Sequence, residues 1–432
     1  MNVGLQKGDS PHNRNPKFAG IHFFGWMGKF TLIATGAYLM NQYRYRSIMI
    51  ILPWISLLLF AGCGDSSNSN GLPASRLQRI IDQEVADGKI PGAILGVQAP
   101  IDTWLGAAGT ADTATAAPMM PDMQVRLASL TKPFTAVLAM KLVEDGVLSL
   151  DDTVEKWLPG EVPDGRKMTL RMLLNHSAGI FDVTGRTSFW EAVYSDPYRA
   201  WLNQDILALS TPYTPVFPPG SQYSYSNTGY YVAGMIMESA MGTRVSSLFQ
   251  EKIAGSAQLT RTTLTRQGAL EKPFANGYAW VFTRKVVEAT GDWNFSWDWT
   301  AGAGVSTAAD MLGFADALFK GRILHPQTVA LMTSPESFAP GSSYGLGLGV
   351  LSGDDPGNPI GVALIGWSGE NPGTATQWYH LPDYDTTIFV AVNRNDIPEG
   401  PGKEPPVDGG AASFNVFTKT WNAIKPFLHA VN

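Results

Sequence analysis

Arg126-Leu127-Ala128-Ser129-Leu130-Thr131-Lys132-Pro133-Phe134 is the stretch around which the chain is organised. It contains the one Ser-x-x-Lys of the sequence, Ser129 and Lys132. Downstream, Phe134, Val137, Leu138 and Leu142 fall on one helical face, and Asp145-Gly146 marks a stop. Pro133 is tolerated only in a first turn, so the helix must begin close to Ser129. Ser129 then sits at the positive helix end, where free backbone N–H groups can hold a developing oxyanion. A spacing of three stacks the amine over the hydroxyl. Serine is a poor nucleophile without an adjacent base, and a desolvated amine supplies one. Ser-x-x-Lys alone is common, so other segments must decide.

Working outward, the 432 residues suffice for one large or two moderate domains, and the composition is that of a globular protein. Residues 1–62 hold Lys7, Arg14, Lys17, Lys29, Arg44 and Arg46 against Asp9, a balance of +5; the total is −6, which leaves −11 for the rest. An acidic body argues against nucleic acid as partner. With a single cysteine, Cys63, no internal disulfide is possible. Arg44 and Arg46, the apolar run Ile48 to Phe60 and Phe60-Ala61-Gly62-Cys63 resemble a bacterial lipoprotein signal with Cys63 as the lipidated residue. Phe60 departs from the usual leucine. The competing reading is an uncleaved anchor, for which the Pro-interrupted run is short. Residues 1–63 are therefore read as a signal and anchor region with the true start at Met40. Residues 64–72 are read as a tether, and the protein as an extracytoplasmic, membrane-anchored lipoprotein of the periplasm or cell surface.

The body reads in order as a helix over Leu77 to Val85, a hairpin from Ala93 to Gly106, the Ser129 helix and a short helix over Thr169 to Asn175. Residues 180–300 read as mostly helical, with Tyr230 to Met241 clearest. Ser306 is expected to cap a helix over Ala308 to Phe319. Strands are expected at Val362 to Trp367, Thr376 to Leu381 and Thr386 to Val392, and then a final helix carrying Phe414, Phe417, Trp421 and Ile424. The expected fold is α/β plus α: an antiparallel β-sheet flanked by N- and C-terminal helices (about 73–160 and 300–430), with an inserted helical part (about 161–299).

Two further segments join Ser129 and Lys132: Ser224-Tyr225-Ser226-Asn227, and Gly366-Trp367-Ser368-Gly369-Glu370. With these three in order, residues 73–430 resemble the serine β-lactamase-like superfamily, which includes class C β-lactamases, D-Ala-D-Ala carboxypeptidases and family VIII carboxylesterases. Leu173 to Gly179, Gly302 to Asp310 and Tyr344 to Gly349 support it. The resemblance implies Ser129 as nucleophile, Lys132 as general base and Tyr225 as general base and acid, its pKa lowered by the charge of Lys132. It implies Asn227, Trp367, Ser368 and Gly369 as substrate-binding residues, with an oxyanion hole from the backbone N–H groups of Ser129 and Glu370. No metal or cofactor is implied. Where β-lactamases carry Lys-Thr-Gly, this chain has Trp367-Ser368-Gly369. A cation there pairs with a substrate carboxylate, which indole cannot do. Trp-x-Gly resembles the family VIII esterases, so a carboxylesterase on short to medium acyl esters, with weak β-lactam hydrolysis, is expected. The rivals are a D-Ala-D-Ala carboxypeptidase or penicillin-binding protein acting on peptide-like substrate, and a non-catalytic binding protein. Trp293, Phe295, Trp297 and Trp299 either extend an apolar pocket or pack on one another. Gly341-Ser342-Ser343-Tyr344-Gly345 fits Gly-x-Ser-x-Gly, which would need a strand before it and a helix after it. His176 reads as a structural hydrogen-bonder, and the other histidines show no metal spacing.

Overall fold

Gly92–Ala99 (β1) and Asp102–Asp112 (β2) form the hairpin from which the main sheet is built, joined by a turn at Pro100–Ile101. In the computed structural model, which describes residues 71–335, 343–356, 358–398 and 405–429, the sheet continues with Ala117–Pro118 (β3), Gly349–Leu351 (β4), Leu364–Asn371 (β5), Thr374–Leu381 (β6) and Thr386–Val392 (β7). Its seven strands run in the order β3-β2-β1-β7-β6-β5-β4, and every pairing is antiparallel. The β1–β7 pairing (Leu95 opposite Val390) joins the two chain ends in the middle of the sheet. The fold is thus mixed α/β around a large antiparallel sheet. Cys63 and the rest of the signal and tether lie outside the described residues. Among those described, no helix is long and apolar enough to cross a membrane.

Strand alternation assigns each face its own layer. Ala93, Leu95, Val97, Ile388, Val390 and Val392 face the helices Ala74–Ala86 (α1) and Gly409–Ile424 (α5), where Ile81, Val416 and Trp421 complete one apolar cluster. Ile94, Trp378, Phe389 and Ala391 face the other way, toward Thr131–Glu144 (α2) and Ala308–Phe319 (α4). There Phe134 stacks on Phe314 at 4.0 Å, and Trp378 Nε1 donates to Met311 O. Full burial of a side chain such as Phe314 contributes on the order of 2 kcal/mol.

The sequence places one apolar face on α2. Instead every residue from Thr131 to Met140 is buried, because α2 is wedged between the sheet and the helical part and has no solvent side. Two further expectations shift by a few residues. Thr307, not Ser306, caps α4 by accepting from Asp310 N–H, while Ser306 Oγ lies 2.8 Å from Thr262 Oγ1. The strand expected to end at Trp367 runs on to Asn371, so the Trp-Ser-Gly segment lies within a strand. Within 180–300, Asn227–Met241 (α3) is the longest helix, and a two-stranded ribbon of Tyr278–Val281 and Val286–Ala289 interrupts the helical reading.

Candidate active site

The backbone of Ala128 turns left-handed, with φ of 51°, between β-paired Val125–Arg126 and α2. A non-glycine residue stays in that region only where its surroundings hold it. Here Thr131 Oγ1 donates to Ala128 O at 2.7 Å and accepts from Gly304 N–H at 2.9 Å. Ser129 follows on a 3-10 turn, Ala128–Leu130, that leads directly into α2 with Pro133 in its first turn. Ser129 therefore sits at the helix start, as Pro133 requires.

Three acceptors surround the buried amine of Lys132. Nζ lies 2.6 Å from Asn227 Oδ1, 2.8 Å from Ala301 O and 3.2 Å from Ser129 Oγ. A protonated lysine has three N–H donors and satisfies all three. A neutral one has two. The Ala301 carbonyl can only accept. The Asn227 amide also turns its oxygen to the lysine, because Nδ2 donates to Thr184 Oγ1 at 3.0 Å and to Asp182 Oδ2 at 3.3 Å. The lone pair of neutral Lys132 is left for Ser129 Oγ. Burial lowers the amine to about 8, opposed by the nearby carboxylates of Asp298 and Asp182.

Tyr225 O–H donates to Ser129 Oγ at 2.9 Å, so the amine and phenol meet on one hydroxyl. The expectation that Lys132 lowers the Tyr225 pKa is corrected. Nζ stands 4.8 Å from the ring centroid, yet the phenol is pushed well above 10, first by burial and then by Tyr344 beside it. Tyr225 rests as a neutral phenol and a proton donor. Behind it lies His176, which accepts from Ser226 N–H through Nδ1 at 3.1 Å and packs on the Tyr225, Tyr230 and Tyr344 rings. Burial and the Lys132 charge hold His176 well below its usual pKa, which matches the structural role expected of it.

β5 brings the third segment against Ser129. Gly369 lies so close that a methyl there would stand 2.9 Å from Ser129 N and 2.7 Å from Thr376 Oγ1, and against Leu127 O. Trp367 stacks on Tyr225 at 6.1 Å and 19°, meets Tyr344 edge-on at 4.6 Å, and lies flat over Gly349. Ser368 points elsewhere: its hydroxyl meets the Tyr379 phenol, which packs on Phe417 of α5 across the sheet. Beyond Gly366, β5 has no strand pairing on the β4 side among the described residues, which leaves that backbone open beside the hydroxyl.

The structure thus gathers Ser129, Lys132, Tyr225, Asn227, Trp367 and Gly369. It also adds Asp182, Thr184, Asp298 and Tyr344, residues the sequence reading did not single out for catalysis; only Tyr344 carried a signal, inside the glycine-spaced segment Tyr344 to Gly349. Trp293, Phe295, Trp297 and Trp299 are buried core. Arg126 covers Phe295 at 4.0 Å, and Trp297 meets Phe189 and Trp190 edge-on. Ser343 donates to Asp355 Oδ2 at 3.1 Å, and a strand follows it where an elbow would need a helix. Among the described residues no cluster of His, Cys, Asp and Glu could hold a metal.

Comparison with known proteins adds four relationships. The family profile described as Beta-lactamase matches residues 77–411. Penicillin-binding protein 4* of Bacillus subtilis is 27% identical over 303 residues, 67% of this chain and 65% of that protein. Esterase EstB of Burkholderia gladioli is 32% identical over 194 residues, 42% of this chain and 49% of its own. The chain therefore spans less than two thirds of either curated relative. Among solved structures, D-amino acid amidase from Ochrobactrum anthropi SV3 superimposes with a TM-score of 0.70 at 27% identity, covering 82% of this chain and 98% of the amidase.

Proposed function

From a chain that belongs to the beta-lactamase family and is a serine hydrolase of that fold, we propose a carboxylesterase that cleaves short to medium, uncharged acyl esters through an acyl-enzyme on Ser129. The observation that carries the ester preference is Trp367. Its indole stacks on Tyr225 and meets Tyr344 edge-on at the position where a family cation would meet a carboxylate. An aromatic wall gains by burying an acyl or alcohol chain and offers a carboxylate no partner.

In this reading neutral Lys132 takes the Ser129 proton as Oγ attacks the ester carbonyl. The oxyanion is held by the N–H groups of Ser129 and Glu370. Tyr225 O–H protonates the departing alkoxide, and the proton that Lys132 took from Ser129 passes to the phenolate, which leaves amine and phenol both neutral in the acyl-enzyme. Water then enters where the alcohol left and attacks the acyl carbon as it gives a proton to the neutral amine, and that proton passes to Ser129 Oγ as the acid is released. Atoms and charges balance without another reactant.

Turnover of p-nitrophenyl butyrate against a D-Ala-D-Ala peptide tests this. The ester is expected to be preferred by at least ~100-fold in kcat/KM, and preference for the peptide by a similar factor would overturn the reading. A second reading, an amidase or peptidase on D-amino acid substrates, is favoured by the near-complete coverage of the D-amino acid amidase fold. D-phenylalanine amide belongs in the same panel. For location, we propose anchoring through a lipid on Cys63, for which the basic, apolar and small-residue order ending at that cysteine is the support.

A further inference from the structure

The turn that holds Lys132 from below is Trp299–Gly302, which supplies Ala301 O. Asp298 begins it. Its carbonyl accepts from Ala301 N–H at 2.7 Å and from Gly302 N–H at 2.9 Å. Its carboxylate, 4% exposed as a residue, lies against Gly302, where no side chain would fit. Trp299 is held at φ of 27°, a region bulky residues avoid, under the Arg266 guanidinium at 3.8 Å and the edge of Tyr231.

Across from this turn, Asn371 ends β5, two residues beyond Gly369. Its amide is buried, and Nδ2 donates to Asp298 Oδ2 at 3.0 Å and to Gly302 O at 3.1 Å. Asn371 O in turn accepts from Asn395 Nδ2, whose Oδ1 accepts from Gly409 N–H at the start of α5. One buried asparagine therefore pins the strand that carries Trp367 and Gly369 to the turn that carries the lysine acceptor.

We propose that Asp298 and Asn371 are positioning residues of this hydrolase: the Asn371 amide ties the Asp298 carboxylate to the Gly302 carbonyl, next to the Ala301 carbonyl that Lys132 uses, so that the lysine site and the third-motif strand move as one unit. This inference rests on Lys132 acting as the base. A structural tie alone would be satisfied by a neutral pair, whereas Asp298 sets a negative charge near the buried amine. The groups facing Lys132 are Asp298 from its turn, Asp182 through Asn227, the Tyr225 and Tyr230 phenols, and His176 held neutral. Asp298 itself is raised to about 6 by burial, against the pull of Lys132 and of the Asn371 hydrogen bond. Loss of either partner pushes it further up, toward the neutral acid.

Labelling of Ser129 in the full chain by a fluorophosphonate, followed as a rate against pH, reads acylation alone. Asp298→Asn removes the charge that raises Lys132, so the midpoint of the acidic limb is expected to fall by about one pH unit. Asn371→Leu keeps the branched shape and deprives Asp298 of its donor, so its limb is expected to move the same way. The double variant should match Asp298→Asn, because both substitutions act through one carboxylate. Melting temperatures identify a variant that does not fold, and Asn371→Leu alone carries the test if Asp298→Asn is that variant. An unmoved limb in a folded variant, or shifts that add in the double variant, would overturn the proposal. Lys132→Ala separates the two failures. If it labels normally, the lysine base is wrong; if it is silent while Asp298→Asn has the wild-type limb, only the positioning role is wrong.

Discussion

Lys132 Nζ donates to Asn227 Oδ1 over 2.6 Å, and the other end of that amide is tied to Thr184 and Asp182. The orientation of Asn227 is therefore set by its partners and cannot invert without facing its NH2 toward the lysine. In the proposed mechanism this geometry directs Lys132, which has several acceptors, as the base. Its only free direction in the neutral form is Ser129.

Asn227→Asp tests that arrangement. A carboxylate beside the amine favours the ammonium form and also confronts the Asp182 carboxyl, which burial already raises. The acidic limb of kcat/KM is expected to move up by about one unit or more, with a loss of roughly tenfold or more at pH 7. A limb that stays in place would show that Asn227 does not orient the base.

Lys132→Ala is expected to lower acylation by about 10³-fold or more, within the range for loss of a general base. Ser343→Ala is expected to acylate at nearly the wild-type rate, since Ser343 Oγ is engaged with Asp355. Intact mass after exposure to a fluorophosphonate reads both. A labelled Lys132→Ala with an unlabelled Ser343→Ala would move the nucleophile to the glycine-spaced segment.

The buried amine also sets a stability signature. Its folded value of about 8 lies below its ordinary 10.5, so between those pH values the unfolded chain binds more protons and stability rises with pH. Below about 8 the burial cost is present in full. Relative to Lys132→Met, wild-type unfolding free energy is expected to gain on the order of 3 kcal/mol between pH 7.5 and 10.5. Urea unfolding at both ends measures it, and parallel pH profiles of the two proteins would contradict a lowered Lys132.

What the sequence shows depends on how local the signal is. Ser129 and Lys132 are three residues apart, and Tyr225 and Asn227 two, so each pair carries its own pattern. Strand Thr386–Val392 and helix Ala308–Phe319 are legible for the same reason, from an unbroken apolar run and a full helical period. Asp182, Asp298 and Asn371 are single polar residues whose partners lie 45, 166 and 73 positions away, and no spacing marks them. The tryptophan-rich segment from Trp293 to Trp299 is ambiguous in sequence because pocket lining and core demand the same residue types. Only packing around Arg126 and Phe189 distinguishes them. The Tyr225 pKa is likewise invisible in sequence, since burial outweighs a positive charge whose distance the motif does not encode.

A last expectation concerns the contact between β5 and the nucleophile turn. Gly369→Ala would place a methyl 2.9 Å from Ser129 N, 2.7 Å from Thr376 Oγ1 and against Leu127 O. None of the three can yield easily: Ser129 N and Leu127 O are backbone, and Thr376 Oγ1 donates to Leu127 O at 2.9 Å. The strand must back away from Ser129, which widens the space in which the oxyanion is held. kcat is expected to fall by about 10²–10³-fold, the cost of a displaced oxyanion donor, with a smaller change in KM. Glu370→Ala gives the contrast. Its carboxyl lies against Gly410 at the start of α5, and only its backbone N–H is assigned a role, so kcat should stay within about threefold of wild type. Steady-state kinetics on p-nitrophenyl butyrate, with melting temperature as the fold control, compare the two. A Gly369→Ala enzyme with unchanged kcat would mean that β5 does not set the oxyanion geometry, and a Glu370→Ala enzyme reduced as far as Gly369→Ala would assign the carboxylate a direct part in the reaction.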